Sequence, residues 1–148
     1  MLYDAPEHLK SIINRFVEKS GVKEPLSVKI QTNLPPSRGL GSSAAVAVAF
    51  VRASYDFMDK PLDDKTLIKE ANWAEQIAHG KPSGIDTQTI VSNKPVWFKR
   101  GQAETLKSLK LNGYMVVIDT GVKGSTKQAV EDVHVLCESD EYMKYVEH

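Results

Sequence analysis

Leu9, Ile12, Ile13, Phe16 and Val17 recur at helical spacing and predict an amphipathic helix over 7–19, which Gly21 would end. Ser27 to Asn33 alternates, with Val28, Ile30 and Thr32 on one side, and reads as a strand stopped by Pro35-Pro36. Gly39-Leu-Gly-Ser-Ser follows and opens a second helix, Ala44 to Met58. That helix is apolar nearly all round until Arg52, so it should be central and buried. Pro61 and Asp63-Asp64 mark a break and a new helix start. Leu67, Ala71, Ala74 and Ala78 then form one stripe that runs to about His79. Gly80 to Gly84 reads as a loop, 86–91 as a short helix, and Pro95 to Lys99 and Tyr114 to Ile118 as strands. Ser125 with Gln128 matches the Ser-x-x-Gln capping box, and Val130, Val133 and Leu136 or Cys137 continue the inner face of a last helix.

This mixed order lacks a regular strand–helix–strand alternation and favours an α+β fold. No repeat, low-complexity tract or interdomain linker interrupts it. Met1 enters an extended stretch without a start signal, and Tyr142 to His148 continue a helical pattern without a cap. The chain therefore reads as a piece of a longer one, incomplete at both ends.

Composition narrows the function classes. With 148 residues, 41% hydrophobic and 26% charged, the chain is an ordinary globular domain. Its 19 Lys plus Arg balance 19 Asp plus Glu, so there is no global attraction for nucleic acid or anionic lipid. Any phosphate must be held by local geometry. The single cysteine, Cys137, excludes a disulfide framework and fits a reducing compartment. The longest apolar run, Ala44 to Val51, is far short of the roughly 18 residues of a membrane span, and MLYDAPEHLK is not a signal peptide. A cytoplasmic protein is expected, with neither nucleic acid nor membrane as partner.

The segment Pro35-Pro-Ser-Arg-Gly-Leu-Gly-Ser-Ser-Ala-Ala carries the first candidate chemistry. Glycines let backbone approach a ligand closely, and the free N–H groups of a first helical turn attract an anion. Ser42 and Ser43 add hydroxyls for phosphate or a phosphate-bound cation. This is not a Walker loop, because no lysine follows the second glycine. Nor is it the dinucleotide fingerprint, because Ala44 stands where a third glycine is needed. The plainer reading is a tight strand–helix turn with serines capping the helix.

The second signal is Glu75-Gln-Ile-Ala-His-Gly-Lys-Pro-Ser-Gly-Ile-Asp86. Glu75 lies one turn beyond Ala71, at the edge of the buried stripe, where a carboxylate is costly unless a cation pairs with it. Magnesium suits that position, since it takes one or two carboxylates together with phosphate oxygens and water. Asp86 follows a Pro-Ser-Gly turn and, on the plainer reading, caps its own helix.

Pro36 through Ala44 resembles a variant of the phosphate-binding motif of the GHMP kinase superfamily, Pro-x-x-x-Gly-Leu-Gly-Ser-Ser-Ala. His79, Gly80, Pro82, Ser83, Gly84 and Asp86 resemble the His-Gly-x-Pro-Ser-Gly-x-Asp segment of its mevalonate kinase branch, and Asp119 to Thr126 resembles the family's Asp-Thr-x-x-x-x-Ser-Thr. Galactokinases carry a different, cysteine-containing second segment, and homoserine kinases lack its aspartate. The resemblance covers essentially the whole chain and implies the family's N-terminal, ATP-binding domain over 1–148, a fold similar to a ribosomal-protein domain.

It also implies roles for individual residues. Pro36, Ser37, Arg38, Gly39, Leu40, Gly41, Ser42 and Ser43 would hold ATP, with Arg38 pointing either to solvent or to phosphate. Ser43 and Glu75 would bind Mg2+, and Asp86 would be the general base. His79, Ser83, Gly84, Asp86, Thr120, Ser125 and Thr126 would meet the substrate. The implied reaction is ATP-dependent phosphorylation of the primary alcohol of mevalonate. Another small-alcohol kinase of the family, such as a phosphomevalonate kinase, or a nucleotide-binding fragment without turnover, are the alternatives. The family's upstream lysine and downstream glycine-rich motif do not occur here, so the chain alone is expected to be catalytically silent, and pairing of two copies stays open.

Other residues read as bland. His8 and His148 are expected at the surface, Cys137, Trp73 and Trp97 in packing, and Lys94, Lys99 and Arg100 on a solvated strand end. His134 has no Cys or His at zinc-binding spacing.

Overall fold

A computed structural model describes residues 5–80, 82–99, 102–109, 112–122 and 124–137. The expected features at Met1 and Tyr142 to His148, and Arg100, lie outside the described residues. The elements are α1 (Glu7–Ser20), α2 (Ser42–Phe57), α3 (Asp64–His79), α4 (Ile85–Ser92), β1 (Val96–Lys99), β2 (Gln102–Thr105) and α5 (Thr126–Cys137).

Each helix starts and stops for a local reason. Gly21 takes the left-handed conformation and its N–H closes α1 onto the Val17 carbonyl. The Asp63 carboxylate accepts the Thr66 N–H at 2.6 Å and caps α3. Gly84 and Asn93, both left-handed, bound α4. At α5 only half of the capping box forms. Ser125 Oγ accepts from the Gln128 backbone N–H at 3.3 Å, while the Gln128 amide reaches forward to Asp132 at 2.8 Å.

The core joins four helices. Leu9, Ile12, Ile13 and Phe16 of α1 meet Ala47, Val48, Phe50 and Val51 of α2, Leu67, Ala71 and Ala74 of α3, and Val91 of α4. Alanines at 47, 71 and 74 have no exposed surface, so the helix backbones approach closely. Phe16 stands edge-on to Phe50 and Phe57, with ring centroids 5.9 and 5.8 Å away. Burying an aliphatic or aromatic side chain of this size is worth about 1.5–3 kcal/mol. Across the α1–α3 seam Glu70 accepts from Arg15 at 3.1 Å and from Lys19 at 2.6 Å, and the Arg15 guanidinium lies 4.5 Å over Trp73.

The helical half of the α+β expectation is met and the sheet is smaller than expected. The helices fall within a residue or two of the expected ranges. α2 is central, but Ala49, Arg52 and Ala53 face outward, so it is not buried all round. β1 pairs antiparallel with β2, Val96 opposite Thr105, a partner strand with no apolar alternation to announce it. The expected strands at 27–33 and 114–118 carry no ladder. A strand exists only with a partner, and among the described residues none pairs with either segment, leaving Val116 and Ile118 more than 75% exposed. Trp97, expected in packing, is 62% exposed because, among the described residues, nothing covers its face of the two-stranded ribbon. Cys137 is half-buried, and Lys94 and Lys99 are solvated as expected.

Candidate active site

The loop before α2 turns sharply. Ser37, Gly39 and Gly41 all have positive φ, at 59°, 69° and 64°. Left-handed residues at alternate positions build the concavities in which successive backbone N–H groups converge on an anion. Gly41 is the N-cap of α2, and no side chain caps that helix, so the serine-cap reading does not hold. The loop residues are largely exposed, Leu40 among them.

Ser43 instead turns its hydroxyl to α3. Its Oγ donates to Glu75 Oε1 at 2.6 Å, the length of a charge-assisted O–H···O⁻ bond. Glu75 is buried, and its other oxygen lies 3.6 Å from His79 Nε2 one turn along the same helix. His8 of α1 completes the group, with Nε2 3.5 Å from Ser43 Oγ. The surface position expected for His8 is therefore corrected. The α1 core stripe carries residue 8 inward, since it lies one turn before buried Ile12. Burial pushes the His8 imidazole below its ordinary value of 6.5; the Glu75 carboxylate opposes that shift and His79 adds to it.

Asp86 stands in the first turn of α4 and does not cap it. Its carboxyl packs against the glycine loop: a Cβ built on Gly41 would lie 3.5 Å from Asp86 Cγ. Behind it, Gly84 backs onto Asn72 of α3, where a Cβ would come within 3.3 Å of the Asn72 amide. Asn72 is a residue that sequence reasoning missed, and its amide lies against the turn that opens α4. Ser83 Oγ accepts the Ile85 N–H at 3.3 Å across the same turn.

A second contact closes the loop from the other side. Arg38 Nε lies 3.3 Å from Asp119 Oδ2, and the Gly124 N–H donates to the Ser37 carbonyl at 3.1 Å. Arg38 is thus turned onto Asp119 rather than to solvent, and its Nη1 is buried without a hydrogen-bond partner among the described residues. A cavity of about 230 Å³ opens here between Ser37, Arg38, Gly39 and Leu40 on one wall and Asp119 and Thr120 on the other. Ser125 Oγ is taken up at the start of α5, and Thr126 is the first residue of that helix. The structure thus brings together Gly41 and Asp86, and Ser43 and His79 at Glu75, and sets the loop and Thr120 around one cavity.

Residues 7–93 match the GHMP kinases N terminal domain. The chain belongs to the GHMP kinase family. Curated relatives include a mevalonate kinase of Aeropyrum pernix, 37% identical over 78% of this chain and 36% of its own length, and one of Mus musculus, 32% identical over 73% and 31%. The crystal structure of mevalonate kinase from methicillin-resistant Staphylococcus aureus superposes with a TM-score of 0.65 at 77% identity, over 76% of this chain and 38% of that one. The chain spans about a third of the length of these relatives. The matched GHMP kinase region contains α1 to α4 and therefore the loop, Ser43, Glu75 and Asp86; the wall formed by Asp119 and Thr120 follows it.

The site suits Mg2+ with ATP. One buried carboxylate and one hydroxyl, already in contact, would supply the two protein oxygens of a cation that takes its other oxygens from phosphate and water. Among the described residues no group of three or more His, Cys, Asp or Glu is placed to hold a metal ion.

Proposed function

We propose that this GHMP kinase chain is the N-terminal, ATP-binding part of a mevalonate kinase, which transfers the γ-phosphoryl group of ATP to the primary alcohol of mevalonate. The observation that carries this reading is Asp86 packed against Gly41, which sets a carboxylate beside the phosphate loop. The named relatives supply the substrate.

The loop from Pro36 to Ser42 would cradle the phosphates with its backbone N–H groups, and Ser43 and Glu75 would hold magnesium, which neutralises charge on the transferring group. Asp86 would orient the substrate hydroxyl and accept its proton. His79, Ser83, Gly84, Thr120, Ser125 and Thr126 would line the substrate side. Catalysis in such a site is positioning and electrostatics, with little covalent chemistry for the protein to perform. The lone cysteine supports a reducing, cytoplasmic setting.

A coupled ADP-release assay on the full-length protein, with mevalonate, phosphomevalonate, galactose and homoserine, tests the reading. Release with mevalonate alone is expected. Release with phosphomevalonate instead, or nucleotide binding with no release on any alcohol, contradicts it.

A further inference from the structure

We propose that His8 is a positioning residue of the metal site: its Nε2–H donates to Ser43 Oγ and fixes that oxygen for magnesium. This rests on the metal role proposed above for Ser43 and Glu75.

The direction of the bond follows from counting protons. A serine hydroxyl has one proton and two lone pairs, and an ionised carboxylate only accepts. The Ser43 proton is committed to Glu75 Oε1 at 2.6 Å. Whatever else meets Ser43 Oγ must therefore donate to it or be a cation. His8 Nε2, at 3.5 Å, can take part only as a donor, which leaves the second lone pair for the metal. The distance is at the long end, as hydrogen bonds in unliganded catalytic sites often are before binding tightens them.

The architecture supports a purpose for the contact. Glu75 holds the Ser43 side chain from α3, on one side only. His8 supplies the second hold from α1, and α1 is itself pinned by Leu9, Ile12 and Phe16 in the core and by the Glu70 ion pairs to α3. Three helices thus fix one oxygen. The charged and titratable groups facing His8 are Glu75 and His79, both of α3. A ring serving only as filler would need no nitrogen directed at Ser43.

Two substitutions of similar bulk separate the roles. Gln places an amide N–H near the Nε2 position; Phe fills the space without a donor. In the full-length protein, the Mg2+ midpoint for ATP binding should rise roughly 3–10-fold in His8→Phe, the worth of one hydrogen bond, and return close to wild type in His8→Gln. The KM for mevalonate should stay put. In a Ser43→Ala background His8→Phe should add nothing. Imidazole nitrogen NMR should show a protonated Nε2 on His8 whose shift moves in Ser43→Ala. An undiminished His8→Phe effect in the Ser43→Ala background, equal effects of Phe and Gln, or a proton on Nδ1 alone would overturn the role of His8. If Ser43→Ala shifts the midpoint and His8→Phe does not, only the role of His8 fails. If Ser43→Ala itself leaves the midpoint unchanged, the metal reading fails and this inference with it.

Discussion

Gly41 and Asp86 face each other across the junction of α2 and α4, so close that a methyl group on Gly41 would rest 3.5 Å from Asp86 Cγ. One is the N-cap of the helix that follows the loop, the other a first-turn residue of α4. Their contact ties a concavity suited to phosphate to a carboxylate able to take a proton. Asp86→Asn keeps the shape and removes the proposed base. Turnover should fall about 10²–10⁴-fold with ATP affinity nearly unchanged. Steady-state kinetics and nucleotide titration on the same preparation check both halves.

Gly41→Ala probes the same junction from the loop side. The space beside Asp86 admits a methyl group in ordinary contact, but φ at Gly41 is +64°, which costs an L-residue about 1–2 kcal/mol. The variant should melt lower, and its turnover should fall as the strained turn shifts the loop relative to Asp86. Wild-type stability and kinetics together would show that the left-handed turn is not required.

Ser43→Ala and Glu75→Gln address the proposed metal site. Each should raise the magnesium concentration needed at fixed ATP. Ser43→Ala also strips the buried Glu75 of its hydroxyl donor, at a cost to stability of about 1–3 kcal/mol. Magnesium titrations and thermal melts of both variants separate the two effects.

Much of this was legible in the sequence, and the limits have physical causes. The periodicity of Leu9, Ile12, Ile13 and Phe16 reports a buried stripe directly, because helix formation and burial share one pattern. Ser43 and Glu75 could be paired by resemblance, and a 2.6 Å hydrogen bond joins them. The strand pattern at Val28 and Ile30 could not reveal whether a partner would pair with it, since a ladder depends on residues distant in sequence. β2 escaped notice because Gln102 to Thr105 is exposed throughout and owes its form to β1. His8 escaped because only the packing of α1 on α3 brings it to Ser43; its place one turn before Ile12 was the available signal. The pairing of Arg38 with Asp119 joins segments far apart in the chain and left no local trace.

Acid should loosen the α1–α3 seam. Burial works against the Glu70 carboxylate, but hydrogen bonds from Lys19 and Arg15 outweigh it and hold its pKa below the ordinary value of 4.5. A depressed carboxylate stabilises the fold fully above the ordinary value and loses that contribution as pH falls through the lower, folded value. Melting temperature should therefore drop as pH falls below 4.5, and Glu70→Gln should be less stable at neutral pH with a flatter acid limb. Melts across pH 3 to 7, on the order of one per half unit, compare the two slopes.

The account turns on one site assembled from the loop, Ser43, Glu75 and Asp86, and a crystal structure of the full-length protein with Mg2+, a non-hydrolysable ATP analogue and mevalonate tests it most directly. Magnesium should sit about 2.0–2.1 Å from Ser43 Oγ, with Glu75 in its shell directly or through one water. The primary hydroxyl of mevalonate should lie about 2.6–3.2 Å from an Asp86 oxygen. Magnesium remote from both Ser43 and Glu75, or a mevalonate hydroxyl held away from Asp86, would contradict it.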